Sequence, residues 1–437
     1  MRLRLPKKFY RIFLQIKMLN LKKTFNKKEM IAERPFWVAF NTFQGIGPQR
    51  FFDLLKFFGS AKQAWQAKED AWRKTNLSAS LCQRFFKYRH DFSPQGYFKK
   101  LISGAIGKEG KKWSVYGEKQ AEDLIWVRQG GNFLLTKPGP IWPMTIMDDI
   151  YPPLLKEIDS PPPVLYVKSD SLEKLKKGKF DIFSLPAIAV VGTRRVTGYG
   201  RQMGHFLAIN LARAGLVVVS SMARGIDAVA HQAALETSGK TVAVLGCGVD
   251  VIYPAANKNL YQNILANGAV VSEFPPAMPP LPGNFPSRNR IVSGMSLGTL
   301  VIEGGRKSGS LITASLAAEQ GREVFAVPGS NDAAMSAGPL YLLKNGAKLT
   351  TEANDILEEL NISTAAVNNK GRQRISLNNL DKDEKTIILL LENGNLIIDQ
   401  ICHKSGLSIS RTNVALSGLE LVGLVENLGS GQWGKIR

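Results

Sequence analysis

Residues 188–200 read IAVVGTRRVTGYG: four apolar residues run into a glycine-rich loop that carries two arginines. A run so short and so apolar suits a strand buried on both faces, and the pattern recurs. LVVVS (216–220), VAVLG (242–246), AVVS (269–272), TLVIE (299–303) and VFAV (324–327) follow, separated by mostly helical stretches. Short buried strands alternating with helices build a parallel sheet covered on both sides. The expected class is therefore α/β, a Rossmann-like doubly wound parallel sheet.

In such sheets ligands bind beyond the carboxyl ends of the strands. The loops to read are GTRRVTGYG (192–200), SMARGID (221–227), CGVDVIYP (247–254), EFPPAMPPLPGNFPSRNR (273–290) and GGRKSGSLITA (304–314). A dinucleotide site does not fit them. GTRRVTG lacks the GxGxxG spacing, and Ser220 and Ser221 stand where a ribose-binding acid belongs. Lys307 precedes Ser308, Gly309 and Ser310, so the order of a Walker loop fails as well, and no cofactor is expected.

What remains is a phosphate signal. A Gly/Ser turn entering a helix presents free N–H groups, and Thr313 adds a hydroxyl. Arg194, Arg195, Arg224, Arg288, Arg290, Arg306 and Lys307 outnumber the acids of these loops, Asp227, Asp250, Glu273 and Glu303. Arg288 and Arg290 follow Pro286 at an expected helix entrance, a place that attracts anions. The plainer reading pairs those arginines with Glu273 or Glu303. Tyr253, Phe274 and Phe285 are candidates for stacking on unpaired bases or for packing the loops.

Composition agrees with a polyanion partner without choosing one. The 437 residues suit two to four domains, and 57 Lys and Arg against 36 Asp and Glu give a net charge of +21. The first thirty residues hold ten Lys and Arg and one acid, so residues 1–33 read as a basic arm, disordered or preceding the true start. FYRIFLQI is too short and too charged for a signal or a membrane span, and no span is expected. Cys82, Cys247 and Cys402 lie far apart without a CxxC, which fits a reducing cytoplasm and neither a disulfide framework nor a zinc site. The histidines show no ligand spacing. His231 reads as structural, with Asp227 capping its helix.

Residues 34–101 have a helical pattern. GIG (45–47), followed by Phe52, Leu55 and Phe58 at helical spacing, resembles a helix-hairpin-helix turn. Contact with DNA phosphate and simple helix capping both remain open there. Residues 102–144 show no clear period. Residues 361–379 are polar and read as a linker, and 380–437 read as three helices and a hairpin with Ser408, Arg411 and Asn413 at the start of the third helix. Arg411 is the lone base of that helix, which leaves duplex reading and protein contact equally open.

VVGTRRVTGYG, ARGIDAVAH, GVDVIYP, FPSRNRIVSG and KSGSLITA, in this order, resemble the DNA-processing protein A family, called DprA or Smf. The match is strongest over residues 145–350; residues 34–101 resemble the family's N-terminal helical domain, of SAM or helix-hairpin-helix type, and 380–437 its winged helix. The resemblance implies a Rossmann-like domain over 145–360 that binds single-stranded DNA and brings the RecA recombinase to incoming strands in natural transformation. It implies a homodimer and no chemical step.

The implied DNA-binding residues are Gly192, Thr193, Arg194 and Arg195 of the first loop and Arg224 and Gly225 of the second. Phe285, Ser287, Arg288, Asn289 and Arg290 follow, then Lys307, Ser308, Gly309, Ser310 and Thr313. Lys240, at the foot of the third strand, is a weaker member. Departures from the family pattern fall at Ser169, Ser221, Gly304 and Pro339-Leu340; none removes a base. Two other classes are weighed. A nucleotide-processing hydrolase of related fold would need a carboxylate where this chain has SGSLITA, with no acid before Glu319. A winged-helix transcription regulator would need a duplex preference that the loops do not announce.

Overall fold

Prolines and serines punctuate the N-terminal helices: α1 (Lys27–Thr42), α2 (Pro48–Phe58), α3 (Ala61–Gln66), α4 (Glu69–Trp72), α5 (Ala79–Asp91) and α6 (Pro94–Ile102). The computed structural model describes residues 27–106, 133–136, 139–362, 381–392, 394–421, 424–429 and 431–435. Residues 1–26 of the expected arm, most of the unassigned 102–144 and nearly all of the expected linker lie outside the described residues. Ser60, Ser78 and Ser93 cap α3, α5 and α6 through their side-chain oxygens, satisfying N–H groups that have no partner within the helix. Phe40, Trp65, Trp72 and Phe85 form an aromatic centre, with Trp72 and Phe85 stacked at 4.3 Å.

Two expectations shift here. The helix α1 begins at Lys27, inside the expected arm, and its buried Glu33 accepts the N–H groups of Ala61 and Lys62 at the start of α3. On α2 the buried face is Phe51, Leu54 and Leu55, with Phe52 and Phe58 only partly covered. At the GIG turn, Arg50 and Arg84 donate to the carbonyls of Gly45 and Gln44.

The short strand β1 (Leu134–Leu135) pairs antiparallel with β7, residues Val251–Ile252. The main sheet is built from β2 (Trp142–Thr145), β3 (Val164–Lys168), β4 (Ala187–Val191), β5 (Val217–Ser220), β6 (Thr241–Val244), β8 (Ala269–Ser272), β9 (Gly298–Val301), β10 (Glu323–Ala326) and β11 (Lys348–Leu349). Their order is β11-β10-β9-β4-β5-β6-β8-β3-β2. From β11 to β8 every neighbouring pair is parallel, while β3 and β2 add antiparallel at one edge. Pro143 sits in that edge strand, where a missing N–H is tolerated.

The covering helices are α7 (Leu172–Lys176), α8 (Gly198–Arg213), α9 (Ile226–Glu236), α10 (Lys258–Asn267), α11 (Asn284–Gly294), α12 (Gly309–Glu319), α13 (Ala337–Lys344) and α14 (Ala353–Glu359). Alternation along each strand divides the core. Ile188, Val190, Val218 and Leu300 pack with α8, α9 and α14 on one face. Ala189, Val191, Val219 and Val301 belong to the other core, which runs on through α10 and α11 into the N-terminal helices.

Among the described residues the N-terminal helices and the sheet fall in one unit and share one hydrophobic core. Ties between them include the ion pair of Arg34 with Asp148 and the bond from Ile141 N to Leu101 O, 3.2 Å. The second unit, residues 365–437, holds α15 (Lys382–Leu391), β12 (Leu396–Ile397), α16 (Ile398–Ser405), α17 (Ile409–Leu421), β13 (Val425–Gly429) and β14 (Gln432–Lys435). Its sheet order is β12-β14-β13, and Trp433 packs with Leu416 and Leu419 in its core. This is the expected three-helix winged helix with one additional short strand.

Candidate nucleic-acid interface

The chain leaves β4 toward β5, β6 and β8, then returns to the other side of β4 as β9. A crevice opens at the carboxyl ends wherever strand order reverses in this way. Here that switch point falls between β4 and β9, flanked by residues 192–197 and 304–309. Thr193 N donates to Glu303 O at 2.8 Å, joining its two sides. The Glu303 carboxylate, 3% exposed, accepts Thr197 N at 3.1 Å and Thr197 Oγ1 at 2.5 Å. It thus occupies the anion position at the start of α8 and pairs with no arginine among the described residues. A Cβ on Gly200 would lie 1.9 Å from Glu303 Oε2, so glycine is required beside that carboxylate.

The second loop packs directly on the first. Gly225 has φ +80°, its added Cβ would stand 2.2 Å from Thr193 O, and Ile226 N donates to that same oxygen. Asp227 does not cap α9, whose N-cap position is Gly225. It lies in the first turn and clasps the loop instead, accepting the Ser221 hydroxyl and, at 3.4 Å, Ala223 N. Ser221, a departure from the family pattern, thereby supplies a donor. Burial pushes the Asp227 carboxyl above its ordinary range, opposed by that hydroxyl and by the charge of Arg288.

The segment SRNR lies in the middle of α11, not at its entrance, because the helix starts at Asn284 and Pro286 fits within the first turn. Asn284 Nδ2 donates to Gly246 O at 3.1 Å. Arg288, 4% exposed, turns inward and donates through Nη1 to Val244 O and, at 3.1 Å, to Ser221 O, joining the ends of β5 and β6. Burial lowers its pKa to about 10, so it stays charged at neutral pH. Arg290 pairs with Glu273. The plainer of the two expectations thus describes Arg290, and backbone carbonyls take Arg288. Ser287 stays exposed and Asn289 half-buried.

The accessible bases are elsewhere. Arg194, Arg195, Arg224, Arg306 and Lys307 are exposed. The Arg194 guanidinium stands 5.6 Å from the ring centre of half-buried Phe285, which stacks on Tyr253 at 5.6 Å and 27°. At the start of α12, Ser308 Oγ accepts Ser310 N at 3.3 Å and meets Ser310 Oγ at 2.8 Å. Ser310 and Thr313 are buried, whereas a Cβ on Gly309 would meet nothing. Lys240 stands apart: it precedes β6 at the amino edge of the sheet, with Nζ 4.3 Å from the Phe180 ring centre.

His231 is structural, as expected. It is fully buried, with Nδ1 2.6 Å from Thr241 Oγ1, which in turn donates to Val218 O. Burial, helped by Arg288, lowers its pKa to about 3. In the winged helix, Arg411 gives two bonds to Asp383, at 2.8 and 2.7 Å. Sequence reasoning did not find the capping role of Glu303 or the inward turn of Arg288. The second had a signal: Arg288 stands three and four residues before Ile291 and Val292, on the apolar face of its helix. Among the described residues no helix is long and apolar enough to cross a membrane.

Known proteins match this architecture. The model of the DNA recombination-mediator protein A family matches residues 142–361, and that of the DprA winged helix domain matches 375–431. Protein Smf of Synechocystis sp. is 31% identical over 425 residues, 90% of this chain and 96% of that protein. The DNA processing protein DprA of Bacillus subtilis is 45% identical over 210 residues, 48% of this chain and 68% of that one. The X-ray structure of DprA from Streptococcus pneumoniae has a TM-score of 0.57 at 31% identity, covering 74% of this chain and 97% of that chain. With a family model covering half its length and a relative matched nearly end to end, the chain belongs to the DNA recombination-mediator protein A (DprA) family of DNA-processing proteins.

Proposed function

We propose that the carboxyl edge of the sheet binds single-stranded DNA, without a chemical step, and presents it to the RecA recombinase. The observation that carries this reading is a set of exposed bases, without an ion pair among the described residues, on the loops after β4, β5 and β9 at the switch point of the sheet. Arg194, Arg195, Arg224 and Lys307 are placed to meet phosphates, with Gly309 leaving the start of α12 open to a close approach. Phe285, stacked on Tyr253 with the Arg194 guanidinium over its ring, is the aromatic station beside these bases. A cationic track with an aromatic platform suits a strand whose bases are free, and suits a duplex less well.

Gly192, Thr193 and Gly225 shape this edge by packing its loops together. Ser287 and Asn289 border it, and Ser308, Ser310 and Thr313 build the turn into α12. Lys240, on the far edge, is not part of the proposed contact. Glu303, just past the end of β9, is committed to Thr197, and the place a hydrolase would use for its acid is filled by Ser308-Gly309-Ser310. RecA loading, a homodimeric state and a cytoplasmic setting rest on the family resemblance.

Fluorescence anisotropy with labelled single- and double-stranded oligonucleotides at several salt concentrations tests the reading. A marked single-strand preference that falls steeply with salt is expected, and Arg194→Ala should weaken it. Equal binding of both forms, untouched by that substitution, would sink it.

A further inference from the structure

The SRNR arginines differ in kind from Arg194, and Arg290 shows why. We propose that Arg290 and Glu273 form a positioning pair that ties the N-terminal helices to the DNA-contacting edge, and that Arg290 touches no phosphate. This rests on the single-strand reading of that edge.

Four elements meet at the pair. Glu273 follows β8, and its carboxylate receives Arg290 from α11, the side chains being 11% and 16% exposed. Asn41 Nδ2, from the end of α1, donates to Glu273 O at 3.3 Å. Gln320 Nε2, just past the end of α12, donates to Arg290 O at 3.0 Å. The buried ring of Tyr151 lies close enough to feel both charges, while its hydroxyl donates to Pro162 O. Of the two guanidinium nitrogens of Arg290 that do not bond Glu273, Nη1 is buried, so a phosphate at the edge does not reach that nitrogen.

The consequence reaches the site through two helices. α11 carries Phe285 and Ser287 at its N-terminal end, and α12 carries Gly309 and Ser310 at its own. The pair fixes α11 to the end of β8, and Gln320, bonded to the Arg290 main-chain carbonyl, ties α12 to α11. Asn41 lets the N-terminal helices brace both, which gives the shared core of that unit a role in DNA binding.

A phosphate contact and a positioning pair answer differently to substitution. A lost phosphate contact weakens binding and flattens the salt dependence by about 0.7 in log–log slope for single strands. Removing one member of a buried ion pair strands the other charge, whereas replacing both by apolar residues is often neutral. The experiment is anisotropy with a labelled oligonucleotide across a salt series, using full-length Glu273→Gln, Arg290→Met and the double variant Glu273→Leu/Arg290→Met. Arg194→Ala serves as the reference, and melting checks that each variant folds.

We expect Glu273→Gln to weaken binding several-fold with the salt slope unchanged, and the double variant to bind within a few-fold of the parent. Tighter binding and a steeper slope in Glu273→Gln would show Arg290 released onto phosphate and overturn the proposal. Parent-like affinity in Glu273→Gln, or a double variant that folds yet binds weakly with a flattened slope, would overturn it too. Should Arg290→Met fail to fold, the other two variants decide. A reference Arg194→Ala that leaves both affinity and slope unchanged would instead count against the single-strand reading of the edge.

Discussion

Two regions of this chain expose an arginine on an element that the proposed function or the winged-helix fold would use, the carboxyl edge of the sheet and the third helix of the winged helix, and they treat it in opposite ways. Arg194 is exposed beside an aromatic ring and makes no ion pair among the described residues. Arg411 is also exposed, 63% at its side chain, yet its Nε and Nη2 both donate to Asp383. Residues 380–437 hold six Lys and Arg against seven Asp and Glu, so the winged helix has no share in the +21 of the chain. Under the proposed function, the difference makes a base a candidate for binding only where no carboxylate of its own fold has claimed it.

The largest expected effect tests that contrast directly. Arg194→Ala with Lys307→Ala should reduce single-strand affinity by about a hundredfold and flatten the salt slope by about 1.4, two phosphate contacts' worth. Removal of residues 365–437 should change affinity by no more than a few-fold. A comparable loss from both changes, measured by anisotropy, would erase the distinction between the regions.

The aromatic station comes next. Phe285→Leu keeps an apolar side chain against Gly246 but gives up the flat face beside Arg194. Stacking of one base is worth roughly 1–3 kcal/mol, so a loss near tenfold is expected, with the salt slope held. A flattened slope would mean that Phe285 acts by placing Arg194 and stacks on nothing.

The parallel sheet was legible because its strands are near-continuous apolar runs and the loops between them are polar. The edge strand β2 was not, since Pro143 interrupts a run of only a few residues, and an edge position is what makes it tolerable. The bases of the site could be counted from the sequence, but their directions could not. Direction depends on helix phase: with α11 starting at Asn284, Arg288 falls on the face of Ile291 and Val292, and its charge is met by backbone carbonyls. The assignment of Glu303 to Thr197 joins residues 106 apart and leaves no local signature.

Acid should separate the regions in stability as well. His231 has a folded pKa near 3, below the unfolded value of about 6.5, so the unfolded chain binds the extra proton. Its contribution is fully present above pH 6.5 and is lost as pH falls toward 3, by about 1.4 kcal/mol per unit. Buried Asp227 and Glu273, raised by burial, act in the other sense and lose stability as pH rises. Comparison of the parent with His231→Gln at each pH isolates the histidine: the melting temperatures should differ in their pH dependence between pH 6.5 and 4 for the first unit, and the winged helix should melt identically in both. Parallel curves for the first unit would mean that His231 is reached by protons in the folded state.

The smallest effect is the most pointed. If Asp383 has claimed Arg411 for the fold, Arg411→Ala should leave single-strand affinity and salt slope unchanged and lower the stability of the winged helix by about 0.5 kcal/mol, the scale of an exposed pair. Asp383→Asn releases the arginine while keeping the side chain's shape. In that variant Arg411 becomes a free cation on an exposed helix, the condition that Arg194 already meets, and weak duplex or single-strand binding by the winged helix should appear at low salt. An unbound winged helix in Asp383→Asn would show that a free arginine is not sufficient. The difference between the two regions would then lie in the switch point between β4 and β9 and its aromatic neighbour, not in the absence of a carboxylate.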